Sequence, residues 1–235
     1  MKIYLIGAGL GSAQYLTQQA QHYLQKAEVL IYDALVDEEL LTLVPPHCQT
    51  IYVGKRGGQP STPQSEINRL LVDFAQQNKL VVRLKNGDPF IFGRAREEIE
   101  ALKTIGCDVE IIPGLSSALT APLLAGIPLT DKVLSRSFSV VTAHQPEQLD
   151  WNALARMDTL VILMGGRHLA TITEQLISEG KPSSCPIAII RKAGTEEQKV
   201  WVGTLGMIVE LTQGNQLSPT VMVVGEVVNL RSLLS

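Results

Sequence analysis

The chain has 235 residues, 45% of them hydrophobic and 18% charged, with a formal net charge of -3. This is globular composition, enough for one large domain or two ordinary ones, and it excludes a disordered chain and a general nucleic-acid binder. Any anionic ligand must therefore be met by local clusters of cations.

In chain order, residues 3–6 read as a strand. The apolar run from Met1 is cut off at Gly7-Ala8-Gly9, too soon for a signal segment or a membrane span. Leu16, Ala20, Tyr23, Leu24 and Ala27 fall on one helical face, and Val29-Leu30-Ile31-Tyr32 is a second strand that ends at Asp33. Thr62 followed by Pro63 predicts a helix with Thr62 as N-cap and Pro63 at the first position, turning Ile67, Leu70, Leu71 and Phe74 inward. Residues 80–84 and 109–112 are further buried strands, and Pro113-Gly114 closes the first half. The apolar stretch 115–129 is interrupted by Ser116, Ser117, Pro122 and Pro128, which suits buried helix and loop rather than a bilayer. A second series of strands follows at 138–141, 160–163, 187–190, 200–202 and 221–224, close enough together to predict hairpins. Strands alternating with helical patterns predict an α/β protein of two α/β domains, 1–114 and 115–235. Cys48, Cys107 and Cys185 are scattered and form no CxxC pair or His/Cys cluster, which points to a reducing, cytoplasmic setting and no metal.

Two segments carry chemistry. Gly7-Ala8-Gly9-Leu10-Gly11 lies between a strand and a helix, where glycines allow a tight turn and close approach to a ligand. With Asp33 at the end of the second strand it suggests a dinucleotide site and a nicotinamide-dependent oxidoreductase, although Ser12 stands where a further glycine is needed. A plain strand-to-helix turn explains the glycines equally well. The second segment, Arg83-Leu84-Lys85-Asn86-Gly87-Asp88-Pro89-Phe90-Ile91-Phe92-Gly93-Arg94, packs charges, glycines, a proline and aromatics into one loop after a strand. A bland turn needs only Asn-Gly or Asp-Pro. Here Asp88 is placed to accept from a ligand amine or ribose, and Arg83, Lys85 and Arg94 to meet carboxylates; an Asp88–Arg94 pair fastening the loop is the structural alternative.

Together with Tyr4-Leu5-Ile6-Gly7-Ala8-Gly9, Tyr32-Asp33-Ala34-Leu35-Val36, Val53-Gly54-Lys55-Arg56 and Ala125-Gly126-Ile127-Pro128-Leu129-Thr130, this loop resembles the tetrapyrrole methylases over nearly the whole chain. Within that family it is most similar to the group that acts on uroporphyrinogen III. The resemblance implies two α/β domains with S-adenosylmethionine folded in a cleft between them, a homodimer, and C-methylation of uroporphyrinogen III at C2 and C7 to give precorrin-2 for sirohaem and corrinoid synthesis. By position it assigns cofactor contacts to Leu10, Asn86, Gly87, Asp88, Ile91, Ser116, Ser117, Met164 and Ala193, and acid/base work to Asp33 and Lys55. A polyanionic tetrapyrrole would be held by cations among Lys55, Arg56, Arg83, Lys85, Arg94, Arg96, Lys132 and Arg136, with Arg56, Arg83, Lys85, Arg94 and Arg136 foremost. Nucleic acid and membrane are not expected partners.

The chain departs from the family pattern at Gly9-Leu10-Gly11-Ser12, where Gly-Pro-Gly-Asp is usual, at Asn86 in place of glycine, at Ala95-Arg96 after Arg94, and at Ala143 between Thr142 and His144. These changes leave open a paralogue that methylates another tetrapyrrole, or a weakly catalytic protein that binds a tetrapyrrole or S-adenosylmethionine.

Overall fold

The computed structural model describes residues 1–10, 12–54, 62–77 and 79–233. The chain divides into two compact units, Met1–Ser116 and Ser117–Ser235, with the break beside the Pro113-Gly114 turn.

In the first unit β1 (Lys2–Gly7), α1 (Gln18–Leu24), β2 (Val29–Tyr32), α2 (Glu38–Leu41), β3 (Gln49–Tyr52), α3 (Gln64–Ala75), β4 (Val81–Lys85), α4 (Ala95–Lys103) and β5 (Asp108–Ile112) follow one another. The strands pair in the order β3-β2-β4-β1-β5, and every pairing is parallel. A parallel sheet needs cover on both faces, and the near-continuous apolar runs of these strands supply two apolar surfaces. Alternation sends Ile3, Leu5, Val29, Ile31 and Val81 against Ile67, Leu71 and Leu102 of α3 and α4. Ile6, Leu30, Val82 and Leu84 face the other way, against Ala20, Leu24 and Leu40 of α1 and α2.

Local chemistry sets the helix starts. The Thr17 side chain accepts from the Ala20 N–H at the head of α1, and Asp37 does the same for Glu39 at α2. At α3 the expected Thr62 cap is not used: Pro63 itself occupies the N-cap position, without a side-chain acceptor, and its carbonyl accepts from Glu66 and Ile67.

At the carboxyl ends of the strands the backbone is drawn unusually close. A Cβ on Gly7 would lie 2.5 Å from both the Gly87 carbonyl oxygen and the Gly114 nitrogen, so the ends of β1 and β5 and the loop after β4 touch main chain to main chain. Gly9 and Gly87, both in the left-handed region (φ 67° and 61°), form an antiparallel bridge. The Gly9 N–H donates to Gly87 O at 3.2 Å, and the Gly87 N–H to Gly9 O at 2.9 Å.

In the second unit α5 (Ser117–Leu124), β6 (Phe138–Thr142), α6 (Trp151–Ala155), β7 (Thr159–Leu163), α7 (Leu169–Ser178), β8 (Pro186–Arg191), β9 (Lys199–Thr204), α8 (Ile208–Leu211) and β10 (Thr220–Val224) build a mixed sheet of order β6-β7-β10-β8-β9. β6 and β7 are parallel and the other pairs antiparallel. One hairpin, β8–β9, joins sequence neighbours, and β10 inserts between β7 and β8. The core of this unit collects Leu160, Ile162, Ile172, Leu176, Ile187, Ile189, Trp201, Met222 and Val224.

Because the atoms facing Gly7 are backbone and cannot rotate away, Gly7→Ala is expected to cost about 1–3 kcal/mol. A lowered urea midpoint for the first unit checks this, and an unchanged midpoint would show that the loops part freely.

Candidate active site

The site of the first unit grows from the carboxyl ends of its parallel strands, where ligands of open α/β sheets bind, beside the point at which strand order reverses. β1 sits between β4 and β5. The chain leaves β1 toward β2 on one side and reaches β5 from β4 on the other, so the loops after β1 and β4 flank that reversal.

The first loop does not have dinucleotide geometry. A phosphate-binding glycine loop opens directly into a helix whose N-terminus faces the phosphate. Here a 3-10 turn at Ala13–Tyr15 and the Thr17 cap intervene before α1 begins at Gln18. Ser12, where the family pattern has Asp, donates from Oγ to Glu39 Oε2 at 3.4 Å, and the same carboxylate oxygen accepts from the Ala13 N–H at 3.2 Å. Leu10 is half-buried on this loop. Asp33 is likewise engaged, through one carboxylate oxygen, by a neighbouring cation.

That engagement is the main electrostatic feature of the unit. Positions 83 and 85 of β4 alternate onto the face covered by α3 and α4, as do 29 and 31 of β2, and Asp33 continues that alternation past the end of β2. The Arg83 side chain is 2% exposed. It donates from Nη2 to Asp33 Oδ1 at 2.6 Å, from Nε to Glu98 Oε1 at 3.1 Å, and from Nη1 to the carbonyl oxygens of Leu84 at 3.1 Å and Ile31 at 3.5 Å. Lys85 Nζ donates to the same Glu98 oxygen at 2.8 Å. Burial pushes the Lys85 ammonium below its usual range, with Arg83 adding to the effect and Glu98 opposing it. Arg83 and Lys85, expected at the substrate's carboxylates, thus have their cationic ends committed inside the unit. Glu98 is fully buried, whereas the Asp33 side chain is 25% exposed and forms the solvent-facing end of the set.

Glu98 was missed in the sequence, yet a signal was there. It lies with Ala95 and Leu102 on the buried stripe of α4. An acid on an apolar helix stripe, opposite cations at alternate positions of a strand, reads as a buried ion set. Its place in the first turn of α4 also favours a carboxylate.

The loop after β4 is held by its own aspartate. Asp88 Oδ1 accepts from the Phe90 N–H at 2.9 Å and Oδ2 from the Gly114 N–H at 3.4 Å. Gly87 takes the left-handed conformation, so Asn86 fills a glycine position of the family without positive φ. Ile91 is exposed. Arg94 does not pair with Asp88: its guanidinium grips Glu97 with two bonds of 2.7 Å, and this hydrogen-bonded pairing raises the Arg94 pKa and lowers that of Glu97. Arg96 pairs with Glu100 at 2.6 Å on the exposed side of α4.

In the second unit, Met164 follows β7 with φ 57° and is 49% exposed, so it is not a core methionine. Ala193 lies after β8 between two left-handed residues, Lys192 and Gly194. Ser117 begins α5, and Ser116 is the last residue of the first unit. Arg136 is exposed, with its backbone N–H donating to Asp158. Ala143, where the family has glycine, is fully buried in the core. Among the described residues the non-glycines with positive φ are Phe92, Arg94, Met164 and Lys192. Each costs of order 1 kcal/mol or more, and all lie in loops just past β4, β7 or β8, beside positions assigned to ligand. Lys55 and Arg56 lie outside the described residues, and among those residues no cluster of His, Cys, Asp or Glu could hold a metal.

A model of the tetrapyrrole (corrin/porphyrin) methylases matches residues 2–209, and the chain belongs to that family. Among its relatives, the uroporphyrinogen-III C-methyltransferase of Synechococcus elongatus is 56% identical over 98% of this chain and 95% of its own length. That of Methanocaldococcus jannaschii is 45% identical over 97% of each chain. The crystal structure of the Thermus thermophilus uroporphyrin-III C-methyltransferase in complex with S-adenosylhomocysteine matches with a TM-score of 0.85 at 35% identity, over 98% of this chain and 100% of that one.

Asp88→Ala removes an acceptor from two backbone donors. It is expected to lower stability by about 1–2 kcal/mol and to weaken S-adenosylhomocysteine binding, read by melting temperature and calorimetric titration. Unaltered affinity would place the cofactor away from this loop.

Proposed function

We propose that this chain is an S-adenosylmethionine-dependent methyltransferase that methylates uroporphyrinogen III at C2 and C7, giving precorrin-2 for sirohaem and corrinoid synthesis. The observation that carries the proposal is 56% identity, over nearly the full length of both chains, to a uroporphyrinogen-III C-methyltransferase. The geometry of the first unit supports it, since an acidic group faces outward at the carboxyl ends of the strands, beside a glycine-lined loop pair.

The residues present suit S-adenosylmethionine, an amphipathic molecule with an apolar body and polar edges. In the first unit Leu10, Asn86, Gly87, Asp88, Ile91 and Ser116 combine exposed or half-buried apolar surface with backbone and amide hydrogen-bonding groups. In the second unit Ser117, Met164 and Ala193 are the proposed contacts, Met164 being exposed and left-handed in its backbone. When bound, this cofactor supplies an electrophilic methyl group on sulfur. Each methyl cation gained by the tetrapyrrole is balanced by one proton lost, and Asp33 is the proposed acceptor. Lys55 is assigned to the same acid/base work and Arg56 to the substrate. Arg94 and Arg136, both exposed, are the proposed forks for the substrate's carboxylates, while Arg83 and Lys85 act from within. The active form is proposed to be a homodimer, for which the exposed Leu119, Leu123 and Val133 of the second unit offer apolar surface. The three unpaired cysteines suit a cytoplasmic setting, and no helix among the described residues is long and apolar enough to cross a membrane.

Anaerobic incubation with uroporphyrinogen III and methyl-labelled S-adenosylmethionine is expected to add two labelled methyl groups, read by mass analysis of the oxidised product. Asp33→Asn is expected to lower kcat about 10²-fold or more with cofactor affinity retained. Cofactor binding by the wild type without transfer of label overturns the proposal. Light scattering on the purified chain is expected to give twice the monomer mass, and a monomeric active enzyme would remove the dimer.

A further inference from the structure

With Asp33 as proton acceptor, two groups remain whose placement that role does not explain, the buried guanidinium of Arg83 and the buried carboxylate of Glu98. We infer that they are positioning residues for Asp33, Arg83 holding its carboxylate by direct contact and Glu98 holding the guanidinium that does so. The inference rests on the proposed role of Asp33 and deepens it.

Asp33 lies one residue past the end of β2, where no sheet bond fixes its side chain. Among the described residues, the hydrogen bond that restrains its carboxylate is the 2.6 Å contact from Arg83 Nη2. Arg83 can act as a fixed point because its other nitrogens are themselves tied: Nε to Glu98, and Nη1 to two main-chain carbonyls of the sheet. A planar fork held at both ends cannot rotate, so the oxygen it grips is fixed in direction as well as distance.

A purely structural role is the weaker account. Position 83 continues a face made of Ile3, Leu5, Ile31 and Val81, where an aliphatic residue would pack without the desolvation cost of a cation. Once Arg83 is there, Glu98 and Lys85 follow as charge balance, two cations and two carboxylates in one set. Glu98 Oε1 takes both cations while its buried Oε2 has no hydrogen-bond partner among the described residues, so the carboxylate is turned toward Arg83 and Lys85 at a cost to itself. The oxygen of Asp33 that Arg83 does not grip lies at the one partly exposed member of the set, where a substrate N–H or acidic C–H can be met.

The test is a double-mutant cycle on methyl transfer to uroporphyrinogen III, with S-adenosylhomocysteine affinity and melting temperature measured on every protein. Arg83→Lys keeps the charge but loses the planar fork that reaches Glu98 and Asp33 from separate nitrogens, and Glu98→Gln keeps the shape but loosens the bridge. Each is expected to lower kcat about 10- to 10²-fold, with KM for the cofactor and S-adenosylhomocysteine affinity unchanged. In the Asp33→Asn background neither is expected to lower kcat by more than about twofold, because the group they position is gone. Should Arg83→Lys not fold, Glu98→Gln alone completes the cycle. Losses that multiply in the Asp33→Asn background, or folded single variants with wild-type kcat and only a lower melting temperature, overturn the inference while leaving the proposed reaction intact. Failure of the wild type to methylate overturns both.

Discussion

A cation buried in a sheet must find its counter-charges before the chain can close over it, and in the first unit that condition is met at the carboxyl ends of β2 and β4. Arg83 and Lys85 occupy core positions by alternation, on a face otherwise made of aliphatic side chains. An uncompensated charge there would cost several kcal/mol. The compensation comes from two different elements, Glu98 on α4 and Asp33 after β2. Packing of α4 against the sheet, the direction of the chain leaving β2 and the carboxylate left facing outward are therefore one arrangement. Removing Glu98 leaves Lys85 without its partner and removing Arg83 leaves Asp33 without one, so these contacts depend on one another.

A second constraint acts beside the first. Gly7, Gly87 and Gly114 let the ends of β1 and β5 and the loop after β4 meet backbone to backbone, and Asp88 ties that loop to Gly114. The result is a crest of main chain with little side-chain bulk, followed by a loop whose Phe92 and Arg94 sit in left-handed conformations that non-glycine residues seldom adopt. Strain of this kind persists where the surroundings over-determine it. Here the close glycine contacts do so, and similar strain recurs at Met164 and Lys192 in the second unit. At Met164 the left-handed backbone goes with 49% exposure of the residue.

Much of this was legible in the sequence. Strand-length apolar runs alternating with helical faces read as α/β units, as both units are, and the closely spaced strands after residue 137 read as hairpins, of which β8–β9 is one. The Gly7-Ala8-Gly9 and Asn86-Gly87-Asp88 signals found the two loops that do meet. What the sequence did not disclose is which charges are spent internally. Arg83 and Lys85 carry the residue types that bind carboxylates, and only the three-dimensional partner on α4 shows that their carboxylate is Glu98. The Asp88–Arg94 pair, the structural alternative for that loop, does not form, since Asp88 is satisfied by backbone N–H groups and Arg94 by Glu97 one helical turn away. The Thr62 cap at α3 failed because Pro63 took the cap position itself. Side-chain type constrains what a residue can bind, but burial and the nearest opposite charge decide what it does bind.

Internal spending of charge bears on the proposed substrate. Uroporphyrinogen III carries eight carboxylates, and the chain as a whole has a net charge of -3. Arg83 and Lys85 are both buried and turned onto the buried Glu98, so on the proposed reading the attraction comes from cations whose partners are exposed and cheaply exchanged. Arg94 is of this kind: its Glu97 pair lies in solvent, where an ion pair contributes about 1 kcal/mol or less, and a substrate carboxylate can replace Glu97 at the same fork. Arg136 is exposed, and its backbone N–H donates to Asp158. The division is physically economical. On the proposed reading, buried pairs hold the Asp33 carboxylate still and exposed arginines trade one carboxylate for another, the same residue type serving both purposes because solvent access sets how tightly each is held.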